Sequence, residues 1–154
     1  MLIPFLLLLH VLVAVGLIGA ITHQAVAALR PPAPTGRISF AGRYRAVNAG
    51  LFARTVVGLY LASIVLGAVI YPTYRLDARI ALEEMGLAWA VGLFELKEHW
   101  GGLGLALLPL YALYWRTADT HDNRGPRIAA TWLLAFVVWF DFIVGHVLNN
   151  LRGL

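Results

Sequence analysis

The stretch from Leu2 to Leu29 carries no charged side chain, and only His10, Thr22, His23 and Gln24 break its apolar character. A helix apolar on every side has no place on the surface of a soluble fold. It does suit a membrane, where about 20 such residues cross roughly 30 Å of hydrocarbon. Three further apolar runs follow: Leu51 to Tyr71, a third from Leu87 or Trp100 to Trp115, and Ile128 to Leu148. The expectation is an all-α integral membrane protein, a four transmembrane helix bundle forming a single membrane domain over residues 1-154. Its spans fall at about 2-29, 51-71, 87-115 and 127-148. A hydrophobic fraction of 60%, a charged fraction of 13% and a mean hydropathy of +0.76 lie outside the soluble globular range.

The first run ends in "AVAALR", a small-residue pattern that also occurs at signal-peptide cleavage sites. No positive segment precedes the run, and it exceeds the ~7–15 residues of a signal core, so it reads as a span. The Pro-rich "RPPAP" then stops the helix.

The loop after the first run holds Arg30, Arg37, Arg43, Arg45 and Arg54 with no acidic residue. Such loops stay in the cytoplasm. The loop "RTADTHDNRGPR" adds Arg116, Arg124 and Arg127 on the same side, with "DNRGP" as a turn before the fourth span. The loop from Pro72 to about Gly86 sets Arg75 and Arg79 against Asp77, Glu83 and Glu84, and belongs outside. Both termini are therefore expected on the outer (periplasmic) side. Every basic residue but Lys97 is an arginine, alongside abundant Ala, Gly and Leu. That usage points to a bacterial cytoplasmic (inner) membrane. Residues 79–94 read equally as an interfacial helix or as an outward extension of the third span.

Depth counting brings polar residues of different spans together. At 1.5 Å per residue, His99 lies ~24 Å above the cytoplasmic end of its span, Asp141 ~21 Å and His146 ~28 Å, while His10 lies ~12 Å below the outer surface. His10, His99 and His146, with Asp141, Glu95 and Glu98, thus share the outer half. His23 sits near the cytoplasmic face and His121 in a solvated loop. An ionisable group within a span costs at least ~2.5–3.5 kcal/mol and usually faces the bundle interior. Asp141, set in "WLLAFVVWFDFIVGHVLNN", is the hardest of these to dismiss. Glu95, Lys97 and Glu98 equally suit the headgroup region, with Lys97 snorkelling. Glu95 precedes His99 by one helical turn and shares its face, where it can orient the ring.

Trp132, Trp139 and His146 recur every seventh residue, a stripe that reads as packing plus an interfacial belt. Gly16, Gly19 and Ala20, and later Gly101, Gly102 and Gly104, permit close helix approach or leave room for a flat macrocycle.

These residues suggest a haem b held by two of His99, His10 and His146, in a subunit that passes electrons to a quinone or a periplasmic redox partner. In architecture alone this is similar to small four-helix membrane cytochrome b subunits. His10 and His23 point about 220° apart, which disfavours two stacked haems. The alternative is a non-haem site for Zn, Cu or Fe built from His99, His10, His146, Glu95 and Glu98. The Glu-x-x-His pairing of di-iron bundles is missing. A proton relay through Asp141 and the histidines, supported by Glu95 and Glu98, needs no metal. A purely structural accessory subunit of a larger membrane complex fits as well. Nucleophilic enzymes fit poorly: there is no cysteine, and neither Ser39 nor Ser63 lies in a G-x-S-x-G elbow. "GGLG" lacks the strand and the Lys-Ser/Thr ending of a phosphate loop. The arginines sit in short loops beside apolar runs, so the net charge of +4 does not indicate nucleic acid.

Overall fold

A computed structural model describes residues 2–29, 49–117 and 121–152. They form helices α1 (Leu2–Leu29), α2 (Ala49–Tyr74), α3 (Ile80–Glu84), α4 (Ala88–Arg116) and α5 (His121–Arg152), with a π-helical turn at Arg75–Arg79 joining α2 to α3. No strand occurs among the described residues. Three of the long helical segments are long and apolar enough to cross a membrane: Leu2–Leu29, Gly50–Glu84 and Asp122–Leu151. Helix α4 matches them in length at 29 residues. Glu95, Lys97, Glu98 and His99 make its first half less apolar.

The long helices form a closed ring in which α1 and α4 each pack against both α2 and α5. Neighbours run antiparallel. His10 lies beside Gly67 and His23 stacks on Phe52, while Lys97 lies beside Gly145 and Gly101 beside Asp141. One buried cluster, including Ile21, Val56, Tyr60, Leu108, Tyr111 and Leu134, fills the middle and the arginine-bearing end. A second, with Ala78, Leu82, Ala90, Phe94, Val144 and Leu148, closes the other end. The first half of α1 packs little, leaving Leu2, Phe5, Leu8 and Leu12 exposed. An aliphatic surface of this kind suits lipid.

The segment expected as a loop from Pro72 to about Gly86 is instead helical through Glu84. Pro72 removes one backbone donor, but packing outweighs that loss: Ala78 and Leu82 are fully buried against the second cluster. Arg79 bridges to Glu83 across one turn on the exposed side. Residues 79–84 therefore extend α2, and the residues from Ala88 onward extend α4. Between them a Schellman turn closes on Gly86, with Gly86 N–H donating to Glu83 O and Leu87 N–H to Leu82 O, both at 3.0 Å. Gly86 has φ 68°, a left-handed conformation in which a side chain is strained.

"DNRGP" is also helical rather than a turn, since α5 begins at His121. Pro126 lacks only the donor that would reach back to Asp122, at the helix start where few such bonds are missed. The loop arginines Arg30, Arg37, Arg43 and Arg45 lie outside the described residues.

Candidate functional site

Across the ring, α1 faces α4 and α2 faces α5, so side chains from all four meet along the axis. From α1, the His10 ring enters beside Gly67, with its Cε1 3.6 Å from where a Cβ would stand. The ring faces the Ser63 backbone, and its Nδ1 is buried with no hydrogen-bond partner among the described residues. From α5, Asp141 packs on Gly101, with Oδ2 3.3 Å from the position of a Cβ there. Its Oδ1 is buried and has no hydrogen-bond partner among the described residues.

Lys97, on α4, links these groups. Its ammonium pairs with Glu98 Oε1 at 3.5 Å and acts electrostatically on both His10 and Asp141. Its stem lies against Gly145, with Cε 3.4 Å from a Cβ position. Glu98 is about one-third exposed, and its charge is felt at Asp141. Tyr60, from α2, completes the group: its hydroxyl donates to Gly101 O at 2.9 Å, and it lies within electrostatic reach of Asp141. His10, Lys97, Glu98, Asp141 and Tyr60 thus form one polar cluster, leading from a carboxylate about one-third exposed to one whose Oδ1 is buried.

Helix geometry explains the convergence. Gly67, Gly101 and Gly145 occupy positions where any Cβ would touch His10, Asp141 or Lys97. The glycines leave room for those side chains to lie between helices.

The other expected site residues lie elsewhere. His99 is exposed, and its Nδ1 is hydrogen bonded at 2.7 Å to Glu95 O rather than to the Glu95 carboxylate. That carboxylate pairs with Arg79 at 3.3 Å on the surface. His146 is exposed too, as are Trp132 and Trp139 of the same stripe. Trp139 is tied back by an indole N–H donated to Thr22 Oγ1 at 3.0 Å. His10 is therefore directed inward while His99 and His146 face out. Among the described residues, no three His, Asp or Glu side chains are grouped to hold a metal ion.

Tyr60 and Lys97 are members that sequence reasoning did not place in the site. Tyr60 had a signal, because a tyrosine in the middle of "VVGLYLASIVLG" needs a partner for its hydroxyl. Lys97 had none that separated snorkelling from an inward course.

A second set of buried polar groups occupies the opposite end. Gln24 and Thr131 are fully buried, and the Gln24 side chain lies near Tyr111. Thr131 accepts the Trp115 indole N–H at 3.0 Å and donates to Arg127 O at 2.7 Å. Ile21, Val56, Leu134 and Val138 belong to the apolar core surrounding this region.

Comparison with protein-family models, with curated proteins and with solved structures returns no match.

Proposed function

We propose that the chain is a four-span subunit of a bacterial inner-membrane complex, with both termini outside, which takes up and returns a proton at the periplasmic side. The observation that carries this reading is Asp141, whose Oδ1 is buried with no hydrogen-bond partner among the described residues and which lies within electrostatic reach of Lys97, Glu98 and Tyr60. Ionisable groups at such depth are costly and mark proton or ion pathways. Glu98 gives the cluster contact with water at one end, and the apolar core beyond Tyr60 separates it from the other. That is a half-path, suited to proton exchange with one side and coupled to chemistry in a partner subunit rather than to conduction across the membrane. Charge distribution supports the orientation. Arg54, Arg116, Arg124 and Arg127 gather at one end with Asp122, to which the sequence of the loop after α1 adds Arg30, Arg37, Arg43 and Arg45, whereas Arg75, Arg79 and Lys97 share the other end with Asp77, Glu83, Glu84, Glu95 and Glu98.

The test is labelling by dicyclohexylcarbodiimide, which enters lipid and reacts with protonated carboxyls. In vesicles, Asp141 should be modified, and raising the pH on the periplasmic side alone should protect it. Asp141→Asn should abolish the adduct. Absence of labelling, or labelling indifferent to the outer pH, refutes the role.

Electron transfer through a haem b is the second reading, and one observation favours it. His99 Nδ1 is held by Glu95 O, which leaves Nε2 facing outward as an axial ligand requires. His146 stands within about one helical turn of the same height on the adjacent helix α5, and is also exposed. A haem would be held by His99, with His146 or a partner subunit supplying the other ligand. His10 does not fit this arrangement, and the donors for a Zn, Cu or Fe site are not grouped. When bound, the haem would supply one-electron chemistry. A reduced-minus-oxidised visible spectrum of the purified protein, compared with His99→Ala, tests it. A colourless protein removes this reading and leaves the proton-handling one untouched.

A further inference from the structure

At the arginine-bearing end, α2 and α4 part to leave a groove of about 440 Å³, lined by Gly50, Ala53, Arg54, Val57, Ala112, Trp115 and Arg116. Its floor is apolar, from Ala53, Val57 and Ala112. Its rim carries two guanidiniums on different helices, both residues are exposed, and neither makes an ion pair among the described residues.

The third arginine nearby is used differently. Arg127 is buried, donating from Nε to Tyr114 O and from Nη2 to Thr117 O, each at 2.9 Å. It thereby satisfies carbonyls at the end of α4, which a helix leaves without intrahelical partners. Its guanidinium also covers the Trp115 ring at 5.1 Å, while the indole N–H is fixed on Thr131. Trp115 is thus a rigid wall, held from behind, with the groove before it. Arg54 and Arg116 have no such internal partners among the described residues and flank an apolar cleft.

We propose that this groove binds an anionic phospholipid of the adjacent leaflet, with its phosphodiester between Arg54 and Arg116 and the start of an acyl chain along Val57, Ala53 and Ala112. The chemistry is complementary at both ends. Paired arginines recognise phosphate oxygens through several N–H groups. Basic pockets between membrane helices on the cytoplasmic side select anionic headgroups. A soluble phosphate compound would satisfy the arginines but leave the apolar floor and the Trp115 wall uncovered. The inference rests on the groove and on the membrane orientation proposed above, and stands or falls independently of the proton cluster.

The full chain, purified in a mild detergent, would be titrated with phosphatidylglycerol, with phosphatidylcholine of identical chains and with glycerol 3-phosphate, and bound lipid counted by native mass spectrometry. Phosphatidylglycerol should be retained preferentially, and glycerol 3-phosphate should not displace it. Arg54→Gln/Arg116→Gln should weaken retention about 30-fold, from ~1 kcal/mol for each basic group. Arg54→Lys/Arg116→Lys should keep most of it. Arg124→Gln removes a charge from the same end but not from the groove, and should change little. Three results would overturn the proposal: equal retention of both lipids, displacement by glycerol 3-phosphate, or an Arg124→Gln loss as large as that of Arg54→Gln. The comparison of lipids on the native chain decides the matter even where the double glutamine variant loses its fold, a loss that circular dichroism would report.

Discussion

Among the described glycines Gly104 is the one where an added Cβ would meet its neighbours most closely, and adding one methyl there should be costly. A Cβ on Gly104 would overlap the Tyr60 hydroxyl, and would stand 2.8 Å from Tyr60 Cζ and 2.9 Å from Val137 Cγ1. Tyr60 is buried and its hydroxyl is held on Gly101 O, so it cannot swing away without losing that bond. Val137 lies on α5, so α4 must separate from both neighbours. Overpacking of this kind costs about 1–3 kcal/mol, and a hydrogen bond between membrane helices about 0.6 kcal/mol. Alanine recovers up to ~1 kcal/mol over glycine in helix propensity. The net for Gly104→Ala is a destabilisation of about 0.5–2.5 kcal/mol. Gly102→Ala is the matched control, since nothing lies within 4 Å of its Cβ position. It keeps the propensity gain without the clash, so the two variants should differ by about 1.5–3.5 kcal/mol. Unfolding in mixed micelles by increasing dodecyl sulfate, followed by circular dichroism, would measure this difference. Adding Tyr60→Phe to Gly104→Ala removes the overlapping oxygen and should recover part of the loss. Equal stability of the two alanine variants would refute the close approach of α2, α4 and α5.

Three further outcomes follow from local geometry. Arg127→Ala removes two charged hydrogen bonds from the end of α4 and the cover of Trp115, and should cost about 3 kcal/mol in the same unfolding measurement. Arg127→Lys should not restore it, because an ammonium has no planar fork for two carbonyls. Gly86→Ala forces a side chain into the left-handed turn between α3 and α4 and should cost about 1–2 kcal/mol, with Gly86→Asn losing less. Glu95→Gln breaks only an exposed pair with Arg79, and its effect should be too small to separate from the native chain and fade further at high salt.

The helical class and three of the four expected membrane-length runs were legible because they depend on composition over many residues. So was the shared depth of His10 and Asp141, since rise per residue is fixed. What the sequence did not reveal was the rotation of each helix about its axis. Helix α1 is apolar nearly all round, so no face marks itself as inward. His99 and His146 sit at the expected height but face out, whereas Lys97, two residues before His99, turns in. The same limit applies to the glycines. Gly101 and Gly104 admit close neighbours and Gly102 none, although all three stand within one turn. Pro72 and "DNRGP" misled for another reason. Breaker residues report a local cost of helix, which burial of Ala78 and Leu82 exceeds in the first case and position at a helix start reduces in the second.

A buried cluster of charges also has a structural explanation, and one pair of variants separates it from a functional one. Lys97 keeps its ion pair with Glu98 when Asp141 is removed as Asp141→Leu, and the variant loses a carboxylate whose Oδ1 has no hydrogen-bond partner among the described residues. Loss of a polar group buried without a partner should be neutral or stabilising. Removing the ammonium as well, as Asp141→Leu/Lys97→Met, breaks the part-exposed pair with Glu98 and should cost no more than about 1 kcal/mol further. A cluster that serves only to hold helices together should lose stability with Asp141→Leu, and activity in its complex only to that extent. A cluster that handles protons should give an Asp141→Leu variant at least as stable as the native chain, yet without activity in its complex. The more stable that variant, the harder it is to explain the native Asp141 by packing, because an apolar side chain was physically available at the same position. An Asp141→Leu variant clearly less stable than the native chain would reverse that argument, and would make the carboxylate a device of fold specificity.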